Sequence, residues 1–197
     1  MNHAALRKIA AATAVICDEN GGSADMFFIL KAIYLSDRHM VTEYGAPITG
    51  DKYSSMPQGP ILCATYDLIK GKFSEEKKLQ TEWNEAFTRK ENSVTPRGKI
   101  DIDSLSPKEE EVIREKFRLV MKLDAEGGKV ADWMHKNCPE WEDVPKGSSK
   151  PLPLNRMIQF ARHLDAEKAK DLEASIREGL LIRKGSAFAK SPLLASA

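Results

Sequence analysis

The chain is short of several things, and each shortage excludes a class of function. Its 197 residues contain three cysteines, Cys17, Cys63 and Cys138, with no Cys-x-x-Cys pair. That odd and scattered set suits a reducing cytoplasm better than a disulfide framework. Charge of one sign is missing too: 30 Lys and Arg face 29 Asp and Glu, a formal net charge of +1. No global field therefore favours nucleic acid, an anionic membrane or an acidic substrate, and any binding must be local. No stretch approaches the roughly 20 apolar residues of a membrane span. The N-terminal apolar run is studded with alanine and ends in Cys17-Asp18-Glu19-Asn20, so it reads as an ordinary helix rather than a leader.

What is present is enough for a core, with 42% apolar residues. Helical periodicity dominates. A first helix is expected from about Ala4 to Asp18, with Leu6, Ile9, Thr13 and Ile16 on one stripe. Ser23 then stands where it would cap a second helix, about Ala24 to Tyr44, which is apolar nearly all round in its first half and so reads as central and buried. Gly45, with Pro47 beyond it, stops that helix. Gly59-Pro60 is read as the start of a third helix that ends at Gly71. Residues 72–106 change character, and one or two antiparallel strands are expected there, with another from Lys52 to Ser55. The alternation Lys99-Ile100-Asp101-Ile102 belongs to that strand region. Ser106-Pro107-Lys108-Glu109 is a capping box for a helix from about Pro107 to Leu123, and a shorter helix follows from about Lys129 to Asn137. The expectation is thus a mainly α (α+β) single helical domain around a central buried helix, with a small antiparallel ribbon. Residues 1–145 form the domain, 146–155 a proline-containing linker, 156–183 two packed C-terminal helices, and 184–197 a flexible tail.

Phe27, Leu30, Tyr34, Asp37, Val41 and Tyr44 recur at spacings of three and four, which sets Asp37 inside an apolar stripe. A buried carboxylate needs donors. Arg38 is its neighbour in sequence but diverges from it by about 100° on a helix. The nearest candidates for its donors are the backbone of the 45–50 turn or of the 53–59 loop. The reading is a polar pin that locks a loop to a helix; its alternative is a catalytic carboxylate.

Other chemistry finds little support. His135 and Cys138 supply at most two zinc ligands where four are needed, so no metal and no cofactor is expected. Gly45 to Gly50 begins like a phosphate loop, but Asp51 stands where lysine is required. A DNA-reading helix would have to be the one from Arg156 to Leu164, with Arg156 and Arg162 as its fixed charges and His163 beside them.

Three segments, taken together, resemble a known family. They are Leu30 to Arg38, with Tyr34, Asp37 and Arg38; Tyr44 to Tyr53, with Gly45, Pro47, Gly50 and Asp51; and Met56-x-x-Gly59-Pro60 followed by Tyr66-Asp67. With the Leu105-Ser106-x-x-Glu109 helix start and the later His135, Pro139 and Trp141, this order is similar to the Panacea domain of the SocA-like antitoxins, over about residues 5 to 143. Gln58 departs from the pattern, since an aromatic often precedes Gly-Pro, as does the spacing of Pro139 and Trp141, adjacent in many members. The resemblance implies a cytoplasmic bacterial or phage-derived antitoxin that is not an enzyme. It would neutralise a cognate protein toxin by direct contact, one to one or as a symmetric assembly, and in one branch of the family it would deliver that toxin to the ClpXP protease. The alternative it leaves is a DNA-binding regulator of a toxin-antitoxin or phage operon. In the tail, Phe188, Leu193 and Leu194 are the apolar residues that a partner, toxin or unfoldase, would meet.

Overall fold

The computed structural model describes residues 1–160 and 167–174, with Glu178 and Leu193. Helix α1 (His3–Glu19) starts with the Asn2 side chain accepting the Ala5 N–H at 2.9 Å, and it buries the stripe read from its sequence. Thr13, the polar member of that stripe, is fully buried because its hydroxyl donates to the Ile9 carbonyl one turn back, at 2.8 Å. A two-residue strand, β1 (Ala24–Asp25), leads into α2 (Met26–Tyr44). The cap of α2 is Asp25, which accepts the Phe27 N–H at 2.7 Å, and not Ser23: pairing of Ala24 and Asp25 with a later strand sets the helix start two residues further on than expected. The helix is buried along almost its whole length and ends at Gly45, whose φ of +76° is the left-handed cap that glycine adopts without a Cβ penalty.

After it come β2 (Tyr53–Met56), β3 (Gly59–Leu62) and α3 (Cys63–Lys70). Gly59-Pro60 therefore opens a strand, and the helix expected there begins three residues later. The reason is local. The β2–β3 turn needs φ +94° at Gly59, and Pro60, which has no N–H, sits on an edge strand where none is required. Helix α4 (Lys77–Ala86) occupies part of the region read as strand: Leu79, Trp83 and Ala86 are buried at spacings of four and three, a helical period among many charges. The strands that do form are β4 (Phe87–Lys90) and β5 (Ser93–Pro96), joined as a hairpin. Lys99 to Ile102 forms no continuous strand, only an isolated bridge at Ile100; the Asp101 N–H donates to the carbonyl of Leu193, at 2.9 Å.

Helix α5 (Pro107–Ala125) carries the capping box as read, with Ser106 and Glu109 exchanging bonds, and it packs along α2. Helix α6 (Val130–Asn137) follows. The stretch read as a linker, 146–155, contains a strand, β6 (Lys150–Leu152), paired antiparallel with β2. The two antiparallel sheets run β1-β5-β4 and β3-β2-β6. Helix α7 (Leu154–Gln159) lays Ile158 against Val41 of α2, and residues 167–174, also helical, add Ala169 and Leu172 to that satellite cluster. Arg162 and His163, with much of the second helix expected over 156–183, lie outside the described residues, as do Phe188 and Leu194 of the tail. Leu193 is described, and it is buried in the main core cluster.

Candidate functional site

Helix α2 presents polar side chains to two loops, and both arrangements are closed. On one side Asp37, fully buried, accepts the backbone N–H groups of Ile48 (2.8 Å) and Thr49 (3.0 Å), the Thr49 hydroxyl, and the Tyr53 hydroxyl (2.9 Å). The backbone donors come from the turn after Gly45, as expected, whereas the 53–59 segment contributes no backbone donor but the side-chain hydroxyl of Tyr53. Burial pushes the Asp37 carboxyl up to about 6, against the opposing pull of the Thr49 and Tyr53 bonds, so it remains an acceptor at neutral pH. Asp51 extends the same loop into α3. Its carboxylate takes the N–H groups of Ala64 (3.0 Å) and Thr65 (2.9 Å) and the Thr65 hydroxyl (2.8 Å), which satisfies the first turn of a helix that has no cap residue of its own.

On the other side, Tyr34 and Arg38 converge on a residue that the sequence did not single out. Glu140 is fully buried. Its Oε1 accepts from the Tyr34 hydroxyl (2.7 Å) and Arg38 Nε (2.6 Å), and its Oε2 from Arg38 Nη2 (3.3 Å). Burial disfavours the Arg38 charge, but the Glu140 carboxylate outweighs it and holds the guanidinium pKa above its ordinary value. The one available sign was the spacing: Glu140 is the residue that separates Pro139 from Trp141. Trp141 donates its indole N–H to the Met56 carbonyl (2.8 Å) and stacks on His135 with ring centroids 3.8 Å apart. One turn before Tyr34, the buried Lys31 donates to the Pro60 carbonyl (3.0 Å) beside Gly59; burial pulls its pKa down to about 7. A Cβ on Gly59 would lie 3.1 Å from Met134 Cβ, so the left-handed turn and the close packing both ask for glycine there.

The structure therefore gathers most of the motif residues into two groups, Asp37, Asp51 and Tyr53 in one, and Tyr34, Arg38, Pro60, Trp141 and Met56 in the other. The groups touch through the edge-to-face rings of Tyr34 and Tyr53, 5.8 Å apart. Asp37 and Arg38 do not meet, as helical geometry requires. Tyr66 lies beneath the Lys70 ammonium, and Asp67 lines a cleft of about 1000 Å³ with Lys8, Ile48, Lys52, Phe73 and Asp101. Gly45, Pro47 and Gly50 shape the turn that Asp37 holds. Cys138 does not join His135 in a ligand set: among the described residues no cluster of three His, Cys, Asp or Glu is placed to hold a metal. Burial raises the Cys138 thiol to about 12, so it stays protonated.

These features define a class first, a mainly helical module whose shared polar side chains fasten loops to one central helix. The family description "Antitoxin SocA-like, Panacea domain" matches residues 29–142, more than half of the chain, and the chain belongs to that family. No curated protein and no solved structure matches it. The matched span runs from within α2 to just past Trp141 and so encloses both groups, leaving α1, β1, β6 and α7 outside. No described helix is long and apolar enough to cross a membrane.

Proposed function

We propose that this chain is an antitoxin that neutralises a cognate small protein toxin by direct binding in the cytoplasm, without turnover, and that it delivers the bound toxin to the ClpXP protease. Membership of an antitoxin family gives the reading its direction. The observation that carries it is the use of the motif itself. Tyr34, Arg38, Asp37, Asp51 and Tyr53 each form hydrogen bonds inside the fold, at distances such as 2.7, 2.6, 2.8, 2.9 and 2.9 Å. A catalytic base or nucleophile needs reach to a substrate atom; these groups reach each other. A rigid scaffold is what such bonding produces, and rigidity favours recognition because little conformational entropy is lost on association.

Co-expression with the neighbouring open reading frame tests the reading. The neighbour alone should arrest growth, this chain should restore it, and the two should co-purify. A neighbour harmless by itself, or rescue without a complex, would overturn it. Adding ClpX, ClpP and ATP to the purified complex tests the delivery step, for which faster loss of the toxin in the presence of this chain is the expected result.

A further inference from the structure

Between residues 70 and 99 the chain carries eight Lys and Arg and five Glu, although the two signs balance over the whole chain. The fold then sets most of those acids aside. Glu75 is paired with the N-terminal amine (3.2 Å), Glu82 is bonded to His3 Nδ1 (3.1 Å), and Glu76 stands 4.0 Å from His3 Nε2, so three of the five are turned to the start of α1. None of the eight cations forms an ion pair among the described residues, and seven of them are exposed. Lys77 and Asn84 are seven residues apart on α4 and fall within about 20° of each other around it, on the side away from Leu79, Trp83 and Ala86. Gln80 accepts the Phe73 N–H (3.0 Å) and donates to the Leu68 carbonyl (3.1 Å) and to Asn84 Oδ1 (2.9 Å), which draws the connector carrying Lys72 along α4. Arg97 Nε donates to the Asn84 carbonyl (3.0 Å) and the Phe87 carbonyl (3.3 Å), which brings the base of the β4–β5 hairpin to the end of the same helix. Strand β4 is the outer strand of its sheet, and it carries Arg89 and Lys90 exposed.

What lies among these cations decides the partner. Thr88, Asn92 and Ser93 are exposed side chains able to donate hydrogen bonds, whereas the aromatic residues of the stretch, Phe73, Trp83 and Phe87, are buried. A stable protein interface centres on aromatic or aliphatic anchors, and single-stranded nucleic acid asks for rings on which its bases stack. This surface offers neither. Cations with hydroxyl and amide donors are what the phosphate backbone of a duplex requires. Helix α7 does not compete for that role, because Arg156 is paired with Glu142 and lies over the Phe160 ring.

We propose that the outer side of α4 and the β4–β5 hairpin bind the phosphate backbone of duplex DNA without reading its sequence, with Lys72, Lys77, Arg89, Lys90 and Arg97 as the contacts. The inference stands apart from the antitoxin reading, because its test contains no toxin.

The test is fluorescence anisotropy of the full chain with a labelled duplex of arbitrary sequence, titrated at several salt concentrations. Five phosphate contacts give log K against log salt a slope of about −4.5, which is an affinity loss of about 500-fold between roughly 50 and 200 mM salt. Arg89→Gln combined with Lys90→Gln should make the slope shallower by about two. Lys108→Gln combined with Lys116→Gln, which removes two cations paired on α5, should leave the slope as it is. A second duplex of unrelated sequence should bind within about threefold of the first. No binding at the lowest salt, an unchanged slope in the Arg89 and Lys90 double variant, or tighter binding of the single strand would overturn the proposal. So would polyglutamate competing as well as the duplex, the result expected of a surface for an acidic protein. If the double variant melts below the parent, Lys77→Gln decides the matter alone, with a slope shallower by about one expected and no change overturning it.

Discussion

The two polar groups on α2 are made of similar parts but close very different lengths of chain. Asp37 takes its donors from residues 11, 12 and 16 positions ahead, all on one turn and the strand after it. Tyr34 and Arg38 reach 106 and 102 residues ahead to Glu140. With loop-closure entropy growing as three-halves RT ln n, the long connection costs about 2 kcal/mol more than the short one. It holds because the segments on either side are fixed independently, by α5 and α6 before it and by β6 after it. The chemistry differs as well. Asp37 is surrounded by neutral donors, so its charge is held by hydrogen bonds alone, whereas Glu140 faces a guanidinium. A carboxylate serving a nearby loop can rely on local backbone; one that ties distant segments together has a charged partner.

That contrast can be broken experimentally. The largest effect should come from Glu140→Ala, which strands the part-buried Arg38 guanidinium and the buried Tyr34 hydroxyl: urea unfolding should show a loss of about 3–5 kcal/mol. Asp37→Ala should lower stability by about 1–3 kcal/mol, because its stranded donors are neutral. If the two losses come out in the reverse order, the charged partner is not what distinguishes the sites. The pH dependence sharpens the comparison further. The folded-state value of about 6 for Asp37 lies above the ordinary carboxyl value of 3.8, so between about pH 4 and 6 the native state binds more protons than the unfolded one. Stability from this group is therefore full below about pH 4 and is lost as pH rises through 6. The parent should fall relative to Asp37→Asn across that window, and parallel stability curves would remove the effect. Lys31 has the opposite sign. Its amine loses the proton near 7 in the fold and near 10.5 in the unfolded chain, so stability rises with pH from about 7 to 10.5. Lys31→Met, close in volume, should flatten that rise while changing stability at pH 8 by no more than about 1 kcal/mol, the smallest change of the four.

The same distinction explains what could be read from the sequence. Asp37 and its loop were legible because an apolar stripe, a left-handed stop at Gly45 and the loop donors all lie within 20 residues, where local geometry determines who can meet whom. The capping box at Ser106 was legible for the same reason. Glu140 was not, because nothing in periodicity or spacing says which of many acids a buried Tyr34 and Arg38 will find a hundred residues away. Helix α4 was hidden by its charges: only Leu79, Trp83 and Ala86 mark its inner face, within the 72–106 stretch that read as strand. Strand β6 was hidden by composition, since Pro151 and Pro153 read as linker until β2 is known to offer an edge. Pro151 is tolerated there because β6 is itself the outer strand of its sheet.

Strand β6 also determines where the module can be cut. The family match stops at residue 142, but β2 lies between β3 and a strand that begins at Lys150. A fragment ending at the match would expose the backbone donors and acceptors of Tyr53, Ser54 and Ser55 along one side, the kind of bare edge that recruits other chains into fibres and aggregates. For grafting this domain onto another protein, or splitting it for a reporter, the workable unit therefore extends past Leu152, and the seven residues between the end of the match and β6 are the connecting thread that has to travel with it.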